Sequence, residues 1–233
     1  MLDIIARAID TLDAASRAEI LYDAIDTKAE ALIAAKIRDR INVILRGRRA
    51  IREVTFKRLQ CGRGPGDGRE QNVDLVVCDG EATIAGGACQ DEGLHLFELK
   101  QYYDFDCARA LKHPPYRGLQ EEITSTLERL EAYQHPRVKS RHVIMTIVRL
   151  GTADTGATWK YTPLVKRQRL LKAMGGRDPV KAYLVEERRS PGDPADAFPL
   201  PSATGEIALG RIDDIEACLF WAAYAPAEGV IAR

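Results

Sequence analysis

The stretch "LHLFELKQYY", residues 94–103, is the tightest constraint on what this chain can become. Its Leu, Phe and Tyr content reads as a buried strand, yet Glu98 and Lys100 lie inside it. Strand side chains alternate between faces, so Leu94, Leu96, Glu98 and Lys100 share one face. A buried charge is costly unless it is paired or bound. A second acid, Asp74, sits in "NVDLVVCD", which also reads as a buried strand. If the two strands are neighbours, Asp74 lies beside Glu98. Two carboxylates about 4–6 Å apart would raise one pKa strongly, and a divalent cation would remove that cost. Lys100 would then face a water or a phosphate oxygen near the metal. The bland alternatives are a cross-strand ion-pair network for Glu98 and Lys100, and a turn residue bonding to the backbone for Asp74.

The rest of the chain supplies helices and strands around these two segments. Residues 3–46 read as two or three helices, the last over roughly 28–46 with Ile33, Ile37, Ile41 and Ile44 on one stripe. Thr27 and Glu30 form a capping-box pattern at its start. "REVTFKRLQ" alternates as a half-exposed strand would, and "GRGPGDG" reads as a turn or loop. Residues 81–93 read as loop or irregular hairpin, 117–134 as an amphipathic helix, and 141–150 as an apolar strand. Beyond that, 163–176 reads as a basic helix, "KAYLVEERR" as a fifth strand, 190–206 as a loop, and "IDDIEACLFWAAYAP" as a helix anchored by Phe220 and Trp221. The order implies one α/β (α+β) domain over 1–233 with a mixed sheet.

This arrangement resembles the PD-(D/E)xK nuclease superfamily. The matching residues are Asp74, then 23 intervening residues, then Glu98-Leu99-Lys100, with Val73 in place of the proline. The order of helix, three-strand meander, helix and strand is also similar. The resemblance covers roughly 28–150. It implies a restriction-endonuclease-like core, a central mixed β-sheet flanked by helices. Residues 1–27 would be an N-terminal helical extension, and 151–233 a part for DNA recognition, activator binding or oligomerisation. It further implies Asp74 and Glu98 as ligands of Mg2+, with Mn2+ as substitute, and Lys100 beside the nucleophile. The family often has a fourth acid on the first core helix. Glu30 is the candidate here, and its capping role stays open; Asp39 lies about 180° round that helix, at about 100° per residue.

The implied activity is Mg-dependent endonucleolytic cleavage of double-stranded DNA, as a homodimeric type II restriction endonuclease. The alternatives are an antiphage effector or DNA-repair nuclease of low sequence specificity, with a small-nucleotide activator in the effector case. A non-catalytic nucleic-acid-binding module and an unrelated α/β protein with an accidental Glu-x-Lys are further alternatives.

Composition narrows the partners. Formal net charge is zero, 34 basic residues against 34 acidic, so an anionic partner must be met by a local patch. The basic run from 160 to 181 offers one, with Lys160, Lys166, Arg167, Arg169 and Lys172 as candidate nucleic-acid contacts. Its bland reading is a solvated helix face. Arg46, Arg48, Arg49 and Arg52 form a second cluster. The four histidines lack metal-site spacing, and Asp104 and Asp106 read as loop or helix-cap acids. The five cysteines show no CxxC pair, which points to buried free thiols. No window resembles a signal peptide or a transmembrane helix, so a cytoplasmic chain without membrane contact is expected.

Overall fold

The computed structural model describes residues 1–26, 29–47, 50–55, 72–80, 93–112, 118–133, 135–151, 175, 177–186, 201–212 and 215–226. Thr27, most of the 81–93 segment and all five lysines and arginines proposed to contact nucleic acid lie outside them, as do Arg48 and Arg49.

Three helices come first: α1 (Leu2–Asp10), α2 (Ala14–Asp26) and α3 (Glu30–Ile44). Each buries an apolar stripe at helical spacing, such as Ile33, Ile37 and Ile41 of α3. Asp13 caps α2, its Oδ1 accepting from the Ser16 N–H at 2.7 Å. Strands β1 (Ala50–Thr55), β2 (Asn72–Cys78) and β3 (Leu94–Tyr103) form an antiparallel meander. Helices α4 (Asp104–Lys112) and α5 (Gly118–Glu131) then carry the chain to β4 (Val138–Leu150), which runs parallel to β3. A short helix α6 (Pro179–Glu186) precedes the hairpin of β5 (Ala203–Ile212) and β6 (Ile215–Tyr224). The result is a mixed α/β fold whose six-stranded, mostly antiparallel sheet has the order β1-β2-β3-β4-β6-β5.

Helices cover both faces. On one, α1–α3 pack on Leu75, Val77, Phe97, Leu99, Ile144 and Trp221. On the other, Leu119, Ile123, Leu127 and Leu130 of α5 meet Val76, Leu96, Val143 and Met145. Burial on both faces explains the continuous apolar run of β4, each side chain of that size being worth roughly 1.5–3 kcal/mol.

Three sequence expectations are corrected. "KAYLVEERR" is not a strand, because its first residues belong to α6. Asp178 caps that helix through the Val180 N–H at 2.9 Å, and Pro179 fits the first helical position. "IDDIEACLFWAAYAP" is not a helix. Ile215, Ala217, Leu219, Trp221 and Ala223 alternate onto the face covered by α1–α3, and the segment is held between β4 and β5. Strand β5 begins inside the expected 190–206 loop, where Gly205 leaves room for the Trp221 ring; a Cβ there would meet its Nε1 at 2.6 Å. The cysteines also depart from expectation. Cys78 is disulfide-bonded, whereas Cys107 and Cys218 take part in no disulfide. Among the described residues no helix is long and apolar enough to cross a membrane.

Candidate active site at the parting of two strands

Strands β2 and β3 pair from Cys78–Leu94 to Leu75–Phe97 and then part. The next step of that register sets Asp74 against Glu98. Beyond it no described residue pairs with β3 on this side, where its backbone N–H groups need acceptors. N–H groups two residues apart point to the same edge of a strand. Asp74 Oδ2 accepts from the Leu99 N–H at 2.8 Å, and Glu30 Oε2 accepts from the Gln101 N–H at 3.0 Å. Two carboxylates therefore accept the N–H groups that a paired strand's carbonyls would take.

The opposite neighbour of Asp74 is also unusual. Arg52 pairs with Leu75 and Val54 with Val73, which puts Glu53 across from Asp74. Glu53 has φ of 50°, a left-handed conformation rare for a residue with a side chain.

On the face covered by α5, Glu98 is 2% exposed. Asp74 is its neighbour across the strands, and a hydrogen bond between the two carboxyls needs one of them to be protonated. Burial, then the hydrogen bond to Asp74 and its charge, push the Glu98 pKa up to about 8. Two cations act the other way. Arg129 of α5 places Nη2 2.6 Å from Glu98 Oε1, and Lys100 lies on the same strand face. Desolvation and the like charge outweigh both. Glu98 Oε1 still has no hydrogen bond, because the Arg129 contact is close but misdirected. Lys100 Nζ lies 3.7 Å from Glu122 Oε1, while the Tyr102 hydroxyl donates to Glu122 Oε2 at 2.7 Å.

The arrangement thus brings Asp74, Glu98 and Lys100 together at one strand end. Glu30 arrives at the same edge, but the charges acting on Glu98 are Asp74, Arg129 and Lys100. The capping-box role does not hold for Glu30. The α3 N-cap is Ala29, and the Glu30 carboxylate holds β3. Gln101 lies on the opposite face from Glu98, as alternation requires, and is 1% exposed. Asp106 Oδ2 accepts from the Tyr103 N–H at 2.9 Å where α4 begins, in keeping with a cap. Asp39 pairs with Arg38 at the surface. Among the described residues no group of three or more His, Cys, Asp or Glu is arranged to hold a metal.

Three features were not singled out in the sequence. Glu122 and Arg129 lie seven apart on the flank of the α5 apolar stripe, a spacing visible in the sequence but without its target. A chain of hydrogen bonds runs from Ser140 Oγ through both His95 ring nitrogens to Asp79 Oδ1, at 2.7 and 2.9 Å, nearer the start of β3. A cleft of about 550 Å³ lies at the β5–β6 hairpin, lined in part by Arg149 and Arg211. Arg149 is already engaged by Asp178 and Glu206, which leaves it little charge to offer an anion.

Comparison with protein-family models, with curated proteins and with solved structures returned no match.

Proposed function

We propose that the chain is a metal-dependent endonuclease with a restriction-endonuclease-like core, hydrolysing phosphodiester bonds in double-stranded DNA. The observation that carries this is the Asp74–Glu98 pair, two neighbouring carboxyls from adjacent strands with Lys100 on the same face as Glu98. A buried like-charge pair is destabilising by itself. It is suited to a hard divalent cation such as Mg2+, which takes carboxylate oxygens and fills its remaining positions with water and phosphate oxygens. The residues present fit that use: Asp74 and Glu98 supply two oxygen ligands, and Glu98 Oε1 is a buried oxygen lacking a hydrogen bond. When bound, the cation polarises a phosphoryl oxygen and lowers the pKa of a bound water. Lys100 offers an ammonium to the nucleophile or to the developing negative charge. Glu30 and Asp74 keep the β3 edge in place by accepting from Gln101 and Leu99.

A type II restriction enzyme acting as a homodimer is the form proposed. Incubation of supercoiled plasmid with protein and Mg2+ tests it. Cleavage that EDTA abolishes, and that Glu98→Gln and Lys100→Met both lack while remaining folded, is the expected result. Full cleavage by either variant removes the assignment. Discrete bands support restriction, and a smear supports a nuclease of low specificity.

A further inference from the structure

We propose that Arg129 is the resident counter-ion of Glu98, displaced by a divalent cation onto a phosphate of the bound nucleic acid. This rests on the metal reading of the Asp74–Glu98 pair. Helix α5 lays a charge pattern against β3 that is the complement of the strand's own. Glu122 faces Lys100 at 3.7 Å and Arg129 faces Glu98 at 2.6 Å. Residues 122 and 129 are about 10 Å apart along the helix, two turns, so one flank of α5 spans the site. Arg129 and Lys100 oppose the burial of Glu98 and its contact with Asp74 without cancelling them, so the apo site is held together under strain.

The two halves differ in how firmly they are tied. Glu122 is held twice, by Lys100 and by the Tyr102 hydroxyl. Arg129 touches Glu98 off the hydrogen-bond direction, and its side chain is 35% exposed against 3% for that of Glu98. The guanidinium therefore has a route to solvent that the carboxylate lacks. A divalent cation on Glu98 would meet Arg129 as a like charge at short range in a poorly solvated place. Turning outward relieves that repulsion. The anion that such a site brings close is a substrate phosphate, which a guanidinium can grip through two N–H groups at once. Arg129 is then a positioning residue without substrate and a phosphate ligand with it.

The exchange predicts effects of opposite sign on two ligands. Mn2+ binding to the full chain without DNA is followed by the loss of the free-ion electron paramagnetic resonance signal. Arg129→Met should bind Mn2+ about tenfold tighter, the scale of one like-charge contact removed. Binding of a DNA duplex in Ca2+, followed by fluorescence anisotropy, should weaken, with a salt slope smaller by about 1. Arg129→Lys should restore DNA affinity toward wild type, and Arg129→Gln supplies the test if the methionine variant does not fold. A purely structural arginine would lower both affinities together. Unchanged or weaker Mn2+ binding in a folded neutral variant, with wild type binding Mn2+, overturns the exchange and leaves the metal reading standing. Wild type that binds no Mn2+ overturns both.

Discussion

Two polar clusters sit on β3 three residues apart, and the chain treats them differently. At His95, both ring nitrogens have partners, Ser140 and Asp79, and Asp79 is half exposed. No buried charge is left over. At Glu98, a nearly inaccessible carboxyl meets a second carboxyl, and two nearby cations fail to bring its pKa back to the ordinary range. The first cluster is a cross-strand tie of the kind sheets use to hold register. The second works against the fold. A strand that can place a satisfied polar group at position 95 has no structural need of an unsatisfied one at position 98. The contrast is the physical reason for proposing a ligand at the second cluster.

The largest expected effect falls on activity. Glu98→Gln keeps the shape and removes the charge, and should lower plasmid cleavage by at least about 100-fold, the scale for losing one group that stabilises the transition state. His95→Ala should leave the specific activity within about threefold, as a structural tie would, each 1.36 kcal/mol of barrier being a factor of ten. Equal losses in both variants would erase the distinction between the clusters.

The next effect concerns pH. The Glu98 carboxyl titrates near 8 in the folded protein and near 4.5 when unperturbed. Between those values the folded state holds a proton that the unfolded chain has released. This contribution to stability is complete below the unfolded value and is lost as pH rises through about 8. Denaturant unfolding of the metal-free protein should therefore show stability falling from pH 5 to pH 8, by up to roughly 1.4 kcal/mol per unit for one proton. Glu98→Gln should flatten that slope, and His95→Ala should leave the part due to Glu98 in place. A slope unchanged in Glu98→Gln would mean that this carboxyl is not the buried acid described.

Smaller effects follow at the margins. His95→Ala should cost about 1 kcal/mol in urea unfolding, the ordinary net value of a hydrogen-bonded tie. Glu53→Gly should stabilise by roughly 1 kcal/mol, because glycine accepts the left-handed backbone without strain. A loss of stability there would show that the Glu53 side chain contributes more than its backbone costs.

The sequence was most legible where local pattern and global burial agree. Strand β3 spans the same ten residues that the apolar run suggested, and Asp74 does lie beside Glu98. Both follow from alternation and from the shortness of the links in a meander. The C-terminal strand reads from the sequence as a helix anchored by Phe220 and Trp221. The signal that decides it, period-two apolar residues from Ile215 to Ala223, has force only with β4 and β5 on either side. For α6, the Asp178-Pro179 start was present in the sequence and outweighs the apolar run after it. Arg129 and Glu122 were unreadable as site residues because the placement of a helix over a strand is a tertiary fact. Glu30 reads from the sequence as a capping-box or fourth-acid candidate on the first core helix, and its bond to the Gln101 N–H depends on how that helix packs over β3.

The central claim is that the Asp74–Glu98 pair exists to hold a divalent cation. Isothermal titration of Mg2+ into the metal-free protein at pH 8 tests it most directly, alongside Asp74→Asn and Glu98→Gln. The account predicts a saturable site in the wild type that weakens or disappears in each variant while both remain folded. Binding that is absent from the wild type, or undiminished in both variants, would contradict it.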